Sequence, residues 1–164
     1  MRLNYHPDWP PVSDLYGTVY IDDTNVSVWA DRASLYDSTV NYLSAETWLN
    51  ASKKMVLAID GALSGTAADG LRIVNNSPLT DIVGSVFADW QVQGQLQTEL
   101  QLQLVLGDSA QKPDIHVKTF WQDIDLTIEP GNIAMLGVDG QLSYSSARGF
   151  TSNDLSGELW GRPV

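Results

Sequence analysis

The sequence predicts a mainly β protein with one or two short helices, its strands forming a curved, twisted antiparallel sheet that makes a groove. A β-sandwich is the alternative. Three observations carry this. The run from Trp90 to Leu106 alternates strictly between two kinds of residue. Shorter alternating runs precede and follow it. A pattern of apolar, any, Gly, any, apolar recurs five times.

The alternation is the strongest signal. One set reads Trp90, Val92, Gly94, Leu96, Thr98, Leu100, Leu102, Leu104 and Leu106; the other is Gln91, Gln93, Gln95, Gln97, Glu99, Gln101, Gln103 and Val105. A period of two sends successive side chains to opposite faces of a strand. This predicts one β-strand with an apolar face and a glutamine face, far longer than the usual 5–6 residues or so. Its apolar face must be covered by something.

Before it, the chain reads as a meander. Residues 1–11, with Pro10-Pro11, form a lead, and 12–164 form a single β-rich segment. Leu15, Gly17, Val19 and Ile21 alternate with polar residues and tyrosines. Asp22-Asp23-Thr24-Asn25 reads as a turn. Val26, Val28 and Ala30 follow, with Trp29 on the opposite face, then a less regular strand from Val40 to Trp48. Met55, Leu57, Ile59 and Leu63 share a face of the next strand.

Near 66–89 the period becomes helical, giving a helical insertion. Ala67 to Val74 fits a short helix. Ser77-Pro78 is a helix start, with Ser as N-cap and Pro at the first helical position. Leu79, Ile82, Val83 and Val86 then fall at i, i+3, i+4 and i+7, an apolar stripe suited to lie on the sheet as a lid.

After Gly107-Asp108 the strands resume. Ile115 and Val117 are apolar at odd positions, whereas Phe120, Ile124, Leu126 and Ile128 are apolar at even ones. A one-residue shift exchanges the two faces, so a bulge is expected near Lys118 to Trp121. Ile133 to Tyr144 and Asp154 to Trp160 complete the strands. The recurring glycines are Gly17, Gly61, Gly94, Gly140 and Gly157; glycine within a strand marks a bend or bulge.

Composition narrows the function. Net charge is −11, with 9 Lys+Arg against 20 Asp+Glu. That opposes nucleic-acid binding, which depends on Lys and Arg neutralising phosphates, and an ionic hold on anionic lipid as well. There is no cysteine, no motif for nucleotide or metal binding, and only His6 and His116 among histidines, so neither a catalytic site nor a metal or cofactor is expected. Asp22, Asp23, Asp60, Asp123 and Asp125 read as solvated turn or edge residues. Six tryptophans (Trp9, Trp29, Trp48, Trp90, Trp121 and Trp160) suit core or rim positions of a sheet, or else a platform that stacks on sugars.

Asp69 to Gly84, D-G-L-R-I-V-N-N-S-P-L-T-D-I-V-G, leads into Ala88 to Leu104, A-D-W-Q-V-Q-G-Q-L-Q-T-E-L-Q-L-Q-L. This passage resembles the YhdP family of AsmA-like proteins of Gram-negative envelopes, as do Val138–Tyr144 and Leu155–Pro163. A departure is the strand ending Val105-Leu106-Gly107, where the family pattern has Pro-Leu. The family is similar to TamB and chorein-type bridge-like lipid-transfer proteins.

The resemblance implies a non-enzymatic role. It implies an elongated β-groove in the periplasm along which phospholipid acyl chains move, in a full-length protein anchored in the inner membrane and supplying lipid to the outer membrane. The chain then reads as an internal, periplasmic fragment whose partners are lipid tails and the rest of the full-length chain, and whose open sheet edges favour self-association. The expected groove residues are Trp90, Val92, Leu96, Leu100, Leu102, Leu104 and Leu106, with Leu79, Ile82, Val83 and Val86 as lid. The other readings are a non-catalytic β-sandwich module for glycan or protein, and a structural spacer.

Overall fold

A computed structural model describes residues 10–164, except Pro78, Ser109, Pro130 and the Ile82 side chain. Trp9, His6 and most of the lead lie outside the described residues. The strands are β1 (Ser13–Asp22), β2 (Asn25–Leu35), β3 (Ser38–Leu49) and β4 (Met55–Thr66), then β5 (Trp90–Val105), β6 (Asp114–Ile128), β7 (Ile133–Ser145), β8 (Gly149–Thr151), β9 (Ser156–Leu159) and β10 (Arg162–Pro163). Between β4 and β5 lie α1 (Ala67–Asn75), α2 (Leu79–Val83) and a 3-10 turn, Gly84–Phe87.

All ten strands belong to one antiparallel sheet, which does not close, in the order β1-β2-β3-β4-β5-β6-β7-β9-β10; β8 pairs with β7 alongside. The β-sandwich alternative is therefore not what forms. Each strand pairs with its neighbour in sequence from β1 to β8; short turns suffice for antiparallel partners, and only β4 and β5 are joined by a long connector, the helical one. Asp23 (φ 54°) and Tyr36 (φ 53°) take the left-handed backbone that such tight turns require.

The long strand spans 16 residues, roughly 53 Å at about 3.3 Å per residue. Gln91, Gln93, Gln95, Gln97, Glu99, Gln101 and Gln103 are all exposed, whereas Trp90 to Leu104 at even positions are half-buried or buried. Leu106 lies just beyond the strand and is exposed.

The expected bulge sits slightly later than the sequence suggests. Leu96 pairs with Trp121 and Gln95 with Gln122, but Gln93 pairs with Asp125, leaving Asp123 and Ile124 opposite the single residue Gly94. Trp121 and Ile124 thus share the apolar face, and Phe120 points to the polar face, opposite Gln97. Apolar spacing misplaces Phe120 because an aromatic ring tolerates a half-exposed position.

Gly94 accommodates the bulge: its φ is +114°, and a Cβ there would lie 2.4 Å from the Asp123 carbonyl oxygen. Gly140 on β7, two strands over, does the same, with φ +128° and a Cβ position 2.4 Å from the Asp154 carbonyl oxygen. Carboxylates satisfy backbone donors around these irregularities. Asp139 accepts from the Asp123 N–H at 3.0 Å, Asp125 from Gly137 N–H at 3.0 Å, and Asp154 from Gln141 N–H at 3.0 Å. Asp123 and Asp125, two of the carboxylates noted in the sequence, thus belong to the bulged part of the sheet.

Candidate functional site

The apolar face continues across strands as well as along them. In register, Gly17 of β1 meets Ala30 of β2, then Leu43, Gly61, Leu100, Val117, Tyr144 and Phe150 of β8. Eight strands at about 4.8 Å spacing give a row of roughly 34 Å. The adjacent row on the same face runs Val19, Val28, Ala45, Ile59, Leu102 and Ile115. The opposite face carries Thr18, Trp29, Ser44, Asp60, Gln101, His116 and Ser145 in one row. A single layer is therefore apolar on one side and largely polar on the other.

Of the expected groove residues, Trp90, Val92, Leu96, Leu100, Leu102 and Leu104 lie on this face within β5, and Leu106 follows at its end. Two buried clusters occupy it. Ala67, Ile124, Leu126 and Val138 form one, ringed by Trp90, Val92, Leu96 and Trp121 among others. Val12, Ala33 and Val40 form the second, with Leu15, Leu35, Leu43 and Leu63 around it. Leu100 and Leu104 are half-buried and belong to neither cluster.

The covering element differs from the expected one. The single helix expected over Leu79–Val86 stops at Val83, where Gly84 turns the chain at φ +68°. Val86 is consequently 55% exposed. Leu79 and Val83 are half-buried, and the Ile82 side chain lies outside the described residues. The helix that packs on the face is α1. Ala67 joins the first buried cluster, and a Cβ on Gly70 would lie 2.6 Å from Leu96 Cδ2. At the end of the 3-10 turn, Phe87 meets Trp90 edge-on at 4.8 Å and Phe150 at 5.6 Å. Because β6 and β7 lie between β5 and β8, this ring bridges over two strands.

A polar latch holds the other end. Thr66 caps α1, accepting from the Asp69 N–H at 3.2 Å. The buried Asp69 carboxylate accepts from the Asp37 N–H at 2.9 Å and the Ser38 hydroxyl at 2.8 Å. The Arg72 guanidinium lies 3.8 Å over the Tyr36 ring, a cation–π contact. The connector is thus fastened to the β2–β3 turn. The sequence reading passed over this latch; Thr66-x-x-Asp69 ahead of an apolar run was the available clue, as a helix-capping pattern.

No group of three or more His, Cys, Asp or Glu among the described residues could hold a metal ion. His116 pairs with Asp114 at 3.3 Å. A cleft of about 400 Å³ opens mostly on the polar face, with Tyr42, Asp60, Glu99, Lys118 and Arg148 in its walls. Its Asp60 is engaged by Gln101 at 3.2 Å and by Tyr42, whose phenol it pushes above the usual tyrosine value through that hydrogen bond, aided by burial. The described tryptophans do not gather into a sugar platform: Trp29 is on β2 near one edge, Trp48 is at the far end of β3 opposite Val56, Trp160 follows β9 near the other edge, and Trp90 and Trp121 face the apolar side.

These features define a class of protein: a single-layer, amphipathic β-sheet with a helical strap over one face. The chain belongs to the YhdP protein family, whose family model matches residues 1–164. That family points to an AsmA-like protein of the cell envelope and is not known for an enzymatic activity. No helix among the described residues is long and apolar enough to cross a membrane. No curated protein and no solved structure matches the chain.

Proposed function

We propose that the chain is a periplasmic segment of a bridge-like protein that carries phospholipid between inner and outer membranes, its apolar face holding the acyl chains. The observation that supports this is the unbroken row from Gly17 to Phe150 across eight strands. At roughly 34 Å it is comparable to the hydrocarbon thickness of a bilayer, about 30 Å. A lipid tail requires continuous apolar surface and no directional polar partner. Gain then scales with buried area, at about 0.8 kcal/mol per methylene, and permits sliding. Leu100 and Leu104, outside both buried clusters, are the contact points on β5, and the connector from α1 to Phe87 is a partial lid. The full-length protein would be anchored in the inner membrane and supply the outer membrane with lipid.

The test is native mass spectrometry of the purified chain, together with photo-crosslinking from Leu100. Co-purifying phospholipid and a lipid adduct at Leu100 are expected. A lipid-free protein that also gives no adduct when phospholipid is added would overturn the reading.

A further inference from the structure

The apolar face bends back on itself. The ten residue steps from Trp90 to Leu100 cover roughly 33 Å in an extended strand. Phe150 is level with Leu100, reached through Val117 and Tyr144. Yet the Phe87 ring lies 4.8 Å from Trp90 and 5.6 Å from Phe150, edge-on to both. One ring cannot touch both ends of a flat stretch of that length, so the strands curl over the apolar face between them. The sheet irregularities supply a cause. Gly94 on β5 faces the extra residue of β6, the β6–β7 register shifts twice between Trp121 and Leu126, and Gly140 lies close to Asp154 on the far side of β7. A bulge bends its strand and increases its twist.

The connector that carries this ring is fastened unevenly. α1 is capped by Thr66 and tied to the β2–β3 turn by the buried Asp69. From Asp81 to Ala88, by contrast, no backbone hydrogen bond reaches a strand among the described residues. The next backbone tie is the Asp89 carbonyl, which accepts from the Glu129 N–H at 3.1 Å. Gly84 turns the chain at φ +68° with open space around it. Of residues 84–88, Phe87 is half-buried and the other four are exposed. Its ring is therefore what holds this part of the connector to the sheet.

We propose that Phe87 is a gate across the apolar face: its ring closes the space between Trp90 and Phe150, and swings away about Gly84 to let an acyl chain past. The assignment rests on the lipid-carrying reading above and adds to it the step that sets the rate of entry and release. Edge-on ring contacts are individually weak, and an acyl chain offers the same rings equivalent apolar surface, so exchanging one for the other costs little. Phe150 is 43% exposed, so the contact opens towards solvent. The Asp69 latch is different in kind. Its buried hydrogen bonds have no substitute in a lipid tail, so α1 stays in place while residues 84–88 move.

The chain has no cysteine, so Phe87→Cys/Phe150→Cys can be joined by a short bis-maleimide with no other thiol present. The full chain is loaded with a pyrene-labelled phosphatidylcholine. Release to unlabelled phosphatidylcholine vesicles is followed by fluorescence, and the amount loaded is read by native mass spectrometry. Phe87→Ala and the unjoined double variant should release lipid roughly threefold to tenfold faster than the wild type, the scale of losing aromatic edge contacts, at unchanged loading. Joining the pair should reverse this and make release slower than in the wild type. Phe87→Leu keeps apolar bulk without the ring, and should fall between the wild type and Phe87→Ala. Wild-type release rates from both Phe87→Ala and the joined pair, with lipid loaded, would overturn the gate alone. So would a Phe87→Ala protein that loads less lipid at an unchanged release rate, since the ring would then be a wall of the groove. A wild type that loads no phospholipid would overturn the lipid-carrying reading and the gate with it.

Discussion

The rings of Phe87 and Phe150 meet edge to face, with centroids 5.6 Å apart and planes at 81°. Phe87 ends the connector that leads into β5, and Phe150 lies on β8, three strands away in the sheet. The Phe150 ring in turn lies 4.9 Å from Tyr144, its register partner. One end of the connector is therefore held by aromatic contact and the other by the Asp69 latch. Phe87→Ala should cost about 1–2 kcal/mol, less than the 3–5 or so of a fully buried Phe because Phe87 is half-buried. Urea unfolding measures this, and hydrogen exchange should show faster exchange in residues 84–89 than in β5.

The latch is the stronger fastening. Asp69→Ala removes the acceptor of both the Asp37 N–H and the Ser38 hydroxyl, and Ser38 is 2% exposed. An unsatisfied buried donor costs about 1–3 kcal/mol. Asp69→Ala should destabilise by about 2–3 kcal/mol and Asp69→Asn by less, because the amide oxygen keeps one acceptor. Chemical denaturation of the two variants side by side checks the order.

Neighbouring residues on β5 give a test of the two faces. Leu100→Asp places a carboxylate in the middle of the apolar row, opposite Gly61 and Val117. Gln101→Asp places the same group on the exposed face. Leu100→Asp should abolish lipid loading, and Gln101→Asp should leave it unchanged. Equal loading of the two variants would contradict the proposed tail contact.

Two glycines that share a positive φ should differ in their tolerance of a side chain. Gly94→Ala meets the Asp123 carbonyl at 2.4 Å, whereas a Cβ on Gly107 (φ +75°) has nothing within 4 Å. Gly107→Ala should cost only the left-handed penalty of about 1 kcal/mol. Gly94→Ala should cost clearly more and lower the melting temperature, because the bulge must shift to admit the methyl group.

Lys54 holds the Asp108 carboxyl below the usual carboxylate range, chiefly through their hydrogen bond, aided by the Ala110 N–H. A carboxyl with a depressed folded-state pKa contributes stability above its unfolded value, and this is lost as pH falls through the folded one. The contribution is therefore present near neutrality and disappears below about pH 4. Lys54→Met should flatten the acid limb of melting temperature against pH in that range without altering the fold.

Much of this was legible in the sequence because a strand with one buried face writes its period into the chain. Trp90 to Leu106 showed its two faces and very nearly its length. The five glycine patterns marked close approaches between strands, and the family resemblance rested on the same strand passages and is shown over residues 1–164. Phe120 and Val86 were misread for one reason: apolar character at the right spacing does not reveal that a bulge, or a glycine at φ +68°, has turned the side chain away.

The sequence by itself determined that the chain would form amphipathic strands, that one face of β5 would be glutamine and the other leucine, and that a helical insertion would precede it. Those properties depend on neighbours two to four residues apart. Tertiary structure alone decided that the strands make one open layer, and that α1 and Phe87 cover the apolar face. Each of these depends on register between strands that are distant in the chain, and register is fixed by bulges, turns and packing together rather than by any local run of residues.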